Sequence, residues 1–555
     1  MSDRELPARP DLEQYKKQAK DLANNCALGT PDALTRVRRH HPRFHRLQES
    51  QIPAAKITLT DAQLVLAREH GFESWQKFAH HIEMLHLIRS VASLKDPVAA
   101  FIEVACVPRH ADHTSGTLEH AELILARYPH VATANIHTAA VLADEVSVRT
   151  FLERDPKSAT TTGGPYGWDA LTHLCFSRYL RLDKTRPQTH AKTHPDAFVR
   201  TARALLEAGA SANTGWHEMI DHPTPRPILE SAIYGAAAIA KHPELTRLLL
   251  EHGADPNDEE TPYHLPEGYD NTVMNIVLQS GTLNPTSLAT MLLRKTDWHD
   301  EKGIRLVLES GADPNFMTRW GATALHHAIR RDNGLSIITL LLDHAADPAL
   351  KNPHTGRSAF VMAARRGRGD ILMLLEARNI PLELNGVDQL IAACAKGDRE
   401  TITRLAECEP HLVAELLAEG GTLLAEFAGN GNVKGLQCLL DLGINVTALY
   451  REGDPYFDIT KDSTALHLAA WRAWPAAVKE LLKCGAPVNA LDAKGRTPLA
   501  LAVKACVDSY WAFRRSPESV HALLQAGAST RGIEIPTGYD EIDKLLRGHA
   551  NKEST

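Results

Sequence analysis

The stretch "TALHHAIRRDNGLSIITLLLDHAADPAL", residues 323–350, holds His326, His327 and His344. Histidine is the usual residue for metal ligation and for proton transfer near neutral pH. His326 and His327 are neighbours in sequence, so on a helix they point about 100° apart and cannot face one ligand. His344 closes the next apolar run, too far along to complete a set. The spacing favours scaffolding over ligation. "WHEMIDH" (216–222) is off by one from the zinc-helix pattern: His217 and His222 are five apart, where ligands one above the other need four. Asp221 sits at the fourth position, Glu218 beside the first histidine, but no third ligand is evident and "HPTPRP" follows, which opposes a helix. The segment therefore reads as a loop. "TTTGGPYG" (160–167) lacks the lysine and hydroxyl of a phosphate loop. His190 and His194 lie in what reads as an insertion. No catalytic residue, cofactor site or metal site follows from these patterns, and the expectation is a protein that is not an enzyme.

These residues must be positioned by something, and the chain repeats itself. "LLEAGASAN" (205–213), "LLEHGADPN" (249–257), "VLESGADPN" (307–315), "LLDHAADPA" (341–349), "LLDLGINVT" (439–447), "LLKCGAPVN" (481–489) and "LLQAGASTR" (523–531) each end an apolar helix on a stop and a polar turn. Glycine suits that stop because it takes the left-handed conformation freely. A second signature follows: "ATALHHA" (322–328), "STALHLA" (463–469), "RTPLALA" (496–502), and more loosely "WDALTHL" (168–174) and "RSAFVMA" (357–363). Thr323, Thr464 and Thr497 stand where a helix N-cap hydroxyl is wanted, and Pro498 fills the first helical position. The stops at Gly311, Ala345 and Asn379 are 34 residues apart, while the intervals from Gly209 to Gly253, Gly253 to Gly311, Gly443 to Gly485 and Gly485 to Gly527 stretch to 42–58 around extra loop text.

This pattern resembles the ankyrin repeat, whose hallmark is T-P-L-H-x-A at a period of about 33 residues. The resemblance implies an all-α solenoid of stacked helix-turn-helix units. About ten repeats are expected over residues 91–531, several degenerate or carrying long insertions. It also implies that His326 and His467 are motif histidines that bond locally to the motif threonine and nearby backbone. Ankyrin stacks are rarely catalytic, so the resemblance implies a protein-binding scaffold.

The totals agree. Hydrophobic residues make up 43% and charged residues 23%, ordinary for a folded chain. The net charge of −7 argues against a dedicated nucleic-acid or membrane-surface protein. The eight cysteines are scattered without zinc spacing and read as free thiols in a reducing compartment. With no apolar leader and no membrane-length apolar run, the expectation is cytoplasmic.

Residues 1–90 lack the repeat and read as a small helical module, with helices at 11–26, 31–44 and two across 59–88 that turn at Gly71. It resembles the helical segment that precedes ankyrin repeats in many bacterial proteins. Ala67 and Gly71 also have helix-turn-helix spacing, with a recognition helix starting near Ser74. Its exposed face would hold Gln76, Lys77 and His80, while Arg36, Arg38, Arg39, Arg43 and Arg46 lie nearby. The alternative function is thus a DNA-linked regulator whose repeats bind protein. Residues 532–555 read as a cap helix and a disordered tail.

A partner is expected on the concave face and hairpin tips. The repeat register places Arg319, Trp320, Arg330, Arg331, Arg357, Arg365 and Arg366 there, and Trp471 and Arg472 on a second patch beside Tyr456 and Phe457. Such a cluster suits a protein partner with an acidic segment.

Overall fold

The computed structural model describes residues 4–48, 51–52, 57–107, 117–181, 195–220, 225–509, 511 and 514–553. His190, His194, Asp221 and His222 fall outside them. The chain forms two compact units, Met1–Glu260 and Thr261–Thr555.

The first unit opens with four helices, Leu12–Ala27, Pro31–His40, Leu59–Glu69 and Trp75–Ala92. Asp11, Thr58 and Ser74 cap three of them by accepting backbone N–H bonds, each satisfying a donor the helix leaves open. Ala19, Leu22, Val37, Phe44, Ala62, Val65 and Leu66 form their shared core. The turn falls at Gly71, φ +84°. Helix pairs follow, among them Ile136–Val141 with Glu145–Arg154, and Ala170–Cys175 with Pro195–Glu207.

One expectation is corrected here. Residues 215–220, read partly as a loop, form a strand: Gly215–Ile220 pairs antiparallel with Arg226–Ser231, His217 opposite Leu229. The strand is anchored by Trp216, which stacks on Trp168 at 4.3 Å and meets Phe176 edge-on at 4.0 Å. The glycine-rich "TTTGGPYG" builds a tight turn in which Gly163 N–H donates to Trp168 C=O at 2.9 Å. A Cβ on Gly163 would sit 2.2 Å from His137 Nε2, so any larger residue would force the His137 ring to move.

The second unit stacks first helices (Ala324–Arg330, Ala359–Arg365, Val387–Lys396, Gly420–Gly429, Ala465–Trp471, Pro498–Val507) and second helices (Glu301–Glu309, Leu335–Asp343, Gly369–Ala377, Arg399–Cys408, Val433–Asp441, Pro475–Lys483, Glu518–Gln525). Each first helix is short because its N-cap and the turn after it are set by sequence. The interleaved core is alanine and leucine: Leu325, Ala328, Ile338, Leu341, Ala363, Ala364, Leu466 and Ala469 are buried. Helix stops occupy the left-handed region at Gly311, Gly443, Gly485 and Gly527, and also at Ala345 (φ +64°) and Asn379 (φ +57°). A helix at Asp540–Glu553 buries Ile542 and Leu546. Among the described residues no helix is long and apolar enough to cross a membrane.

Candidate functional site

The motif residues act on the backbone. Thr323 accepts from His326 N–H at 3.4 Å, and the His326 Nδ1 lies 2.8 Å from the Thr323 hydroxyl. In the later repeat Thr464 N–H donates to His467 Nδ1 at 3.1 Å, which leaves His467 Nε2–H to donate to Arg496 C=O, also at 3.1 Å. Each imidazole thus ties its own helix cap to the next hairpin. Burial lowers the pKa of His326 and His467 below the usual histidine range, and both ring nitrogens of His467 are taken by a neutral network. Thr497 caps its helix through Ala500 N–H at 3.1 Å, with Pro498 next.

The turn asparagines supply a link that the repeat alignment contained but did not explain. Asn315 donates to Ala345 C=O at 2.8 Å and accepts from Asp347 N–H at 2.7 Å. Asn213 does the same to Gly253 and Asp255 at 2.9 and 2.7 Å, and Asn489 to Gly527 and Ser529 at 3.3 and 2.8 Å. One side chain spans each pair of successive turns.

The arginines divide. Arg319, Trp320, Arg330 and Arg357 are exposed, with the Arg319 guanidinium over the Trp320 ring at 4.7 Å. Arg331, Arg366 and Arg472 are the C-cap residues of successive or later first helices, and they turn inward. Arg331 Nε lies 2.6 Å from Asp297 and its guanidinium sits over Tyr456 at 3.1 Å. Arg366 pairs with Glu426 at 3.2 Å. Arg365 is held between Asp388 and Glu419, both at 2.6 Å. Arg472 is fully buried, 3.9 Å from Glu426 and from Asp454.

The expected second patch is corrected in its placement. Trp471 is 2% exposed and donates from Nε1 to Phe457 C=O at 2.5 Å. His327 is buried and bonds Asp297 at 2.9 Å. The cover comes from two loops. Residues 451–462 lay Tyr456 on Arg331 and bury Phe457 among Trp471, Trp511 and Arg472. Asp458 then anchors the loop to Lys494, Arg496 and Lys504 at 2.6, 2.7 and 2.8 Å, and these cations hold its carboxyl well below the usual range against the opposing effect of burial. In the segment after Val507, Arg514 reaches Asp332 at 2.7 Å, a pairing across 182 residues of sequence. Burial of Asp297 acts to raise its pKa, but the His327 bond and the charges of Arg331 and Arg294 hold it at about 2.

Between these features an open cavity of about 370 Å³ remains, lined by Arg330, Arg357, Arg365, Arg366, Glu426 and Tyr450 among others. Among the described residues no group of three or more His, Cys, Asp or Glu is placed to hold a metal ion. In the N-terminal helices, Ser74 starts the fourth helix as expected. Arg36 is spent on a two-pronged bond to Glu69 (2.7 and 3.0 Å) and Arg43 on Asp61 at 3.1 Å.

Models of the ankyrin repeat match residues 296–385 (three copies), 230–260 and 461–493. The chain is 29% identical over 141 residues to the E3 ubiquitin-protein ligase KEG of Arabidopsis thaliana, covering 25% of this chain and 8% of that protein. It is 27% identical over 199 residues to the B-cell lymphoma 3 protein homolog of Mus musculus, covering 36% of each. The match thus spans 8% of the first relative's length and 36% of the second's. With its caps, stops and stacked helix pairs accounted for, the chain carries ankyrin repeats at residues 230–260, 296–385 and 461–493.

Proposed function

We propose that this protein is a non-catalytic scaffold that binds a protein partner through the concave face and hairpin tips of residues 296–385, with an acidic segment of the partner meeting Arg319, Arg330 and Arg357. Ankyrin repeats are protein-interaction modules, and the single observation that carries the placement is that these arginines remain exposed beside Trp320 while their neighbours are consumed internally. Arginine and tryptophan are favoured at interface hot spots. Trp471 and Arg472 serve instead to seat the loop that covers them. All eight cysteines are free thiols, six of them buried, which supports a reducing compartment such as the cytoplasm.

The test is affinity capture from lysate of the source cell. Wild type is compared with a variant carrying Arg319→Glu, Arg330→Glu and Arg357→Glu, after circular dichroism shows both fold alike. A protein captured by wild type and lost from the variant supports the reading. Equal capture by both would refute the placement.

A further inference from the structure

In a regular repeat stack each unit touches its neighbours alone. Residues 451–462 depart from that rule, because they lie across the first helices of both earlier and later repeats. Tyr456 rests on Arg331, at the end of Ala324–Arg330. Phe457 is 1% exposed and packs with Trp471 and with Trp511, the latter ring at 5.0 Å. Trp471 donates its Nε1–H to the Phe457 carbonyl. The first arm of this strap, Glu452 to Pro455, forms one wall of the open cavity that also holds Arg330 and Arg357. A partner seated on those two arginines therefore meets the strap.

Beneath it Arg366, Arg472, Glu426 and Asp454 are buried together, the last delivered by the strap itself. Their charges balance, but their bonding is poor. All three guanidinium nitrogens of Arg472, Glu426 Oε2 and Asp454 Oδ1 find no hydrogen-bond partner among the described residues. Buried ions bonded so sparsely recover little of their desolvation cost. Burial of Phe457 favours closure, while rehydration of these ions favours opening. The outer latch is Asp458 on Lys494, Arg496 and Lys504, partly exposed pairs that water and salt weaken. One aromatic anchor and one weak latch thus hold the strap.

Its sequence from Asp454 to Asp458, "DPYFD", sets two aromatic rings between carboxylates. With Asp454 withdrawn, Arg366, Arg368, Arg472 and Arg514 would face Glu426, Asp332 and Asp370. Four cations against three acids leave one positive charge in excess, and withdrawal of Asp458 adds to it. The uncovered face therefore favours another segment of the same kind.

We propose that residues 451–462 are an intrachain stand-in for a partner, a strap over the concave face that is displaced when a partner segment carrying an aromatic residue between carboxylates docks. This rests on the protein-binding reading above and adds its regulation.

The probe is a fluorescent peptide with the sequence of residues 451–462, acetylated and amidated, titrated by anisotropy into the full chain. Wild type is compared with Phe457→Gly combined with Asp458→Asn, after circular dichroism shows both fold alike. The double variant should bind the peptide at least about tenfold more tightly, since refilling the phenylalanine slot is worth that factor or more. A peptide with alanine in place of its phenylalanine should lose the gain. Asp458→Asn alone, which keeps the aromatic anchor, should fall between, and it decides the question on the same terms if the double variant does not fold. Equal affinity for wild type and variants, or binding to none of them, would overturn the proposal. Partner capture by the double variant no stronger than by wild type would overturn it too, while the protein-binding reading stands as long as capture depends on Arg319, Arg330 and Arg357. If capture is indifferent to those arginines, that reading fails, whatever the peptide does.

Discussion

His467 holds a Thr464 N–H on one ring nitrogen and the Arg496 carbonyl on the other. His467→Phe strands both buried groups, each costing about 1–3 kcal/mol. Urea unfolding of the full chain should therefore show a loss of at least about 2 kcal/mol; a loss within error would mean the ring only fills space. The pH dependence follows from the same burial. His326, His327 and His467 have pKa values lowered by burial, so the unfolded chain takes up protons first, from about pH 6.5 downward. Stability is lost as pH falls through that range. Asp297, at about 2, and Asp332, also lowered despite burial by Arg514 and Arg368, contribute stability that is lost below about pH 4. A melting temperature that declines below pH 6.5 and more steeply below pH 4 is expected, and one that rises on acidification would contradict it. Asn315 is a third residue with a defined task. Asn315→Ala removes two bonds to the next turn and should cost about 0.5–1.5 kcal/mol in the same urea assay.

At the scale of elements, two features separate this chain from regular repeats. Ala345 occupies a helix stop at φ +64°, a conformation costing a residue with a Cβ roughly 1–2 kcal/mol. Ala345→Gly should raise stability by about 0.5–1 kcal/mol once the extra freedom of glycine is allowed for; destabilisation would show that this strain is absent. The loop 451–462 is the other feature. Asp458 joins it to three cations, pairs worth about 0.2–1 kcal/mol each when partly exposed. Asp458→Asn should loosen the loop about tenfold in hydrogen exchange across residues 451–462, with little change in the helices. The helix caps, stops and paired helices of this element set were legible because each depends on local chemistry. The strand at Gly215–Ile220 was not, because its tryptophan anchor, Trp168, is 48 residues away in sequence from Trp216.

Across the whole molecule, the same distinction explains the candidate site. Repeat register put Arg331 and Arg366 on the concave face and Trp471 on a second exposed patch, but register carries no information about what lies over them. Their cover comes from Asp297, Glu426, Tyr456 and Phe457, delivered by other repeats and by an insertion of 13 residues, "YREGDPYFDITKD". The acidic and aromatic composition of that insertion complements the arginines and was the available signal. What survives as exposed is Arg319, Trp320, Arg330 and Arg357. The central claim is that a partner docks there. The most direct test is hydrogen exchange of the full chain, alone and with its captured partner. Protection confined to residues 316–331 and 351–366 is predicted. Protection confined to the N-terminal helices, or to the outer helices Leu335–Asp343 and Gly369–Ala377, would contradict the account.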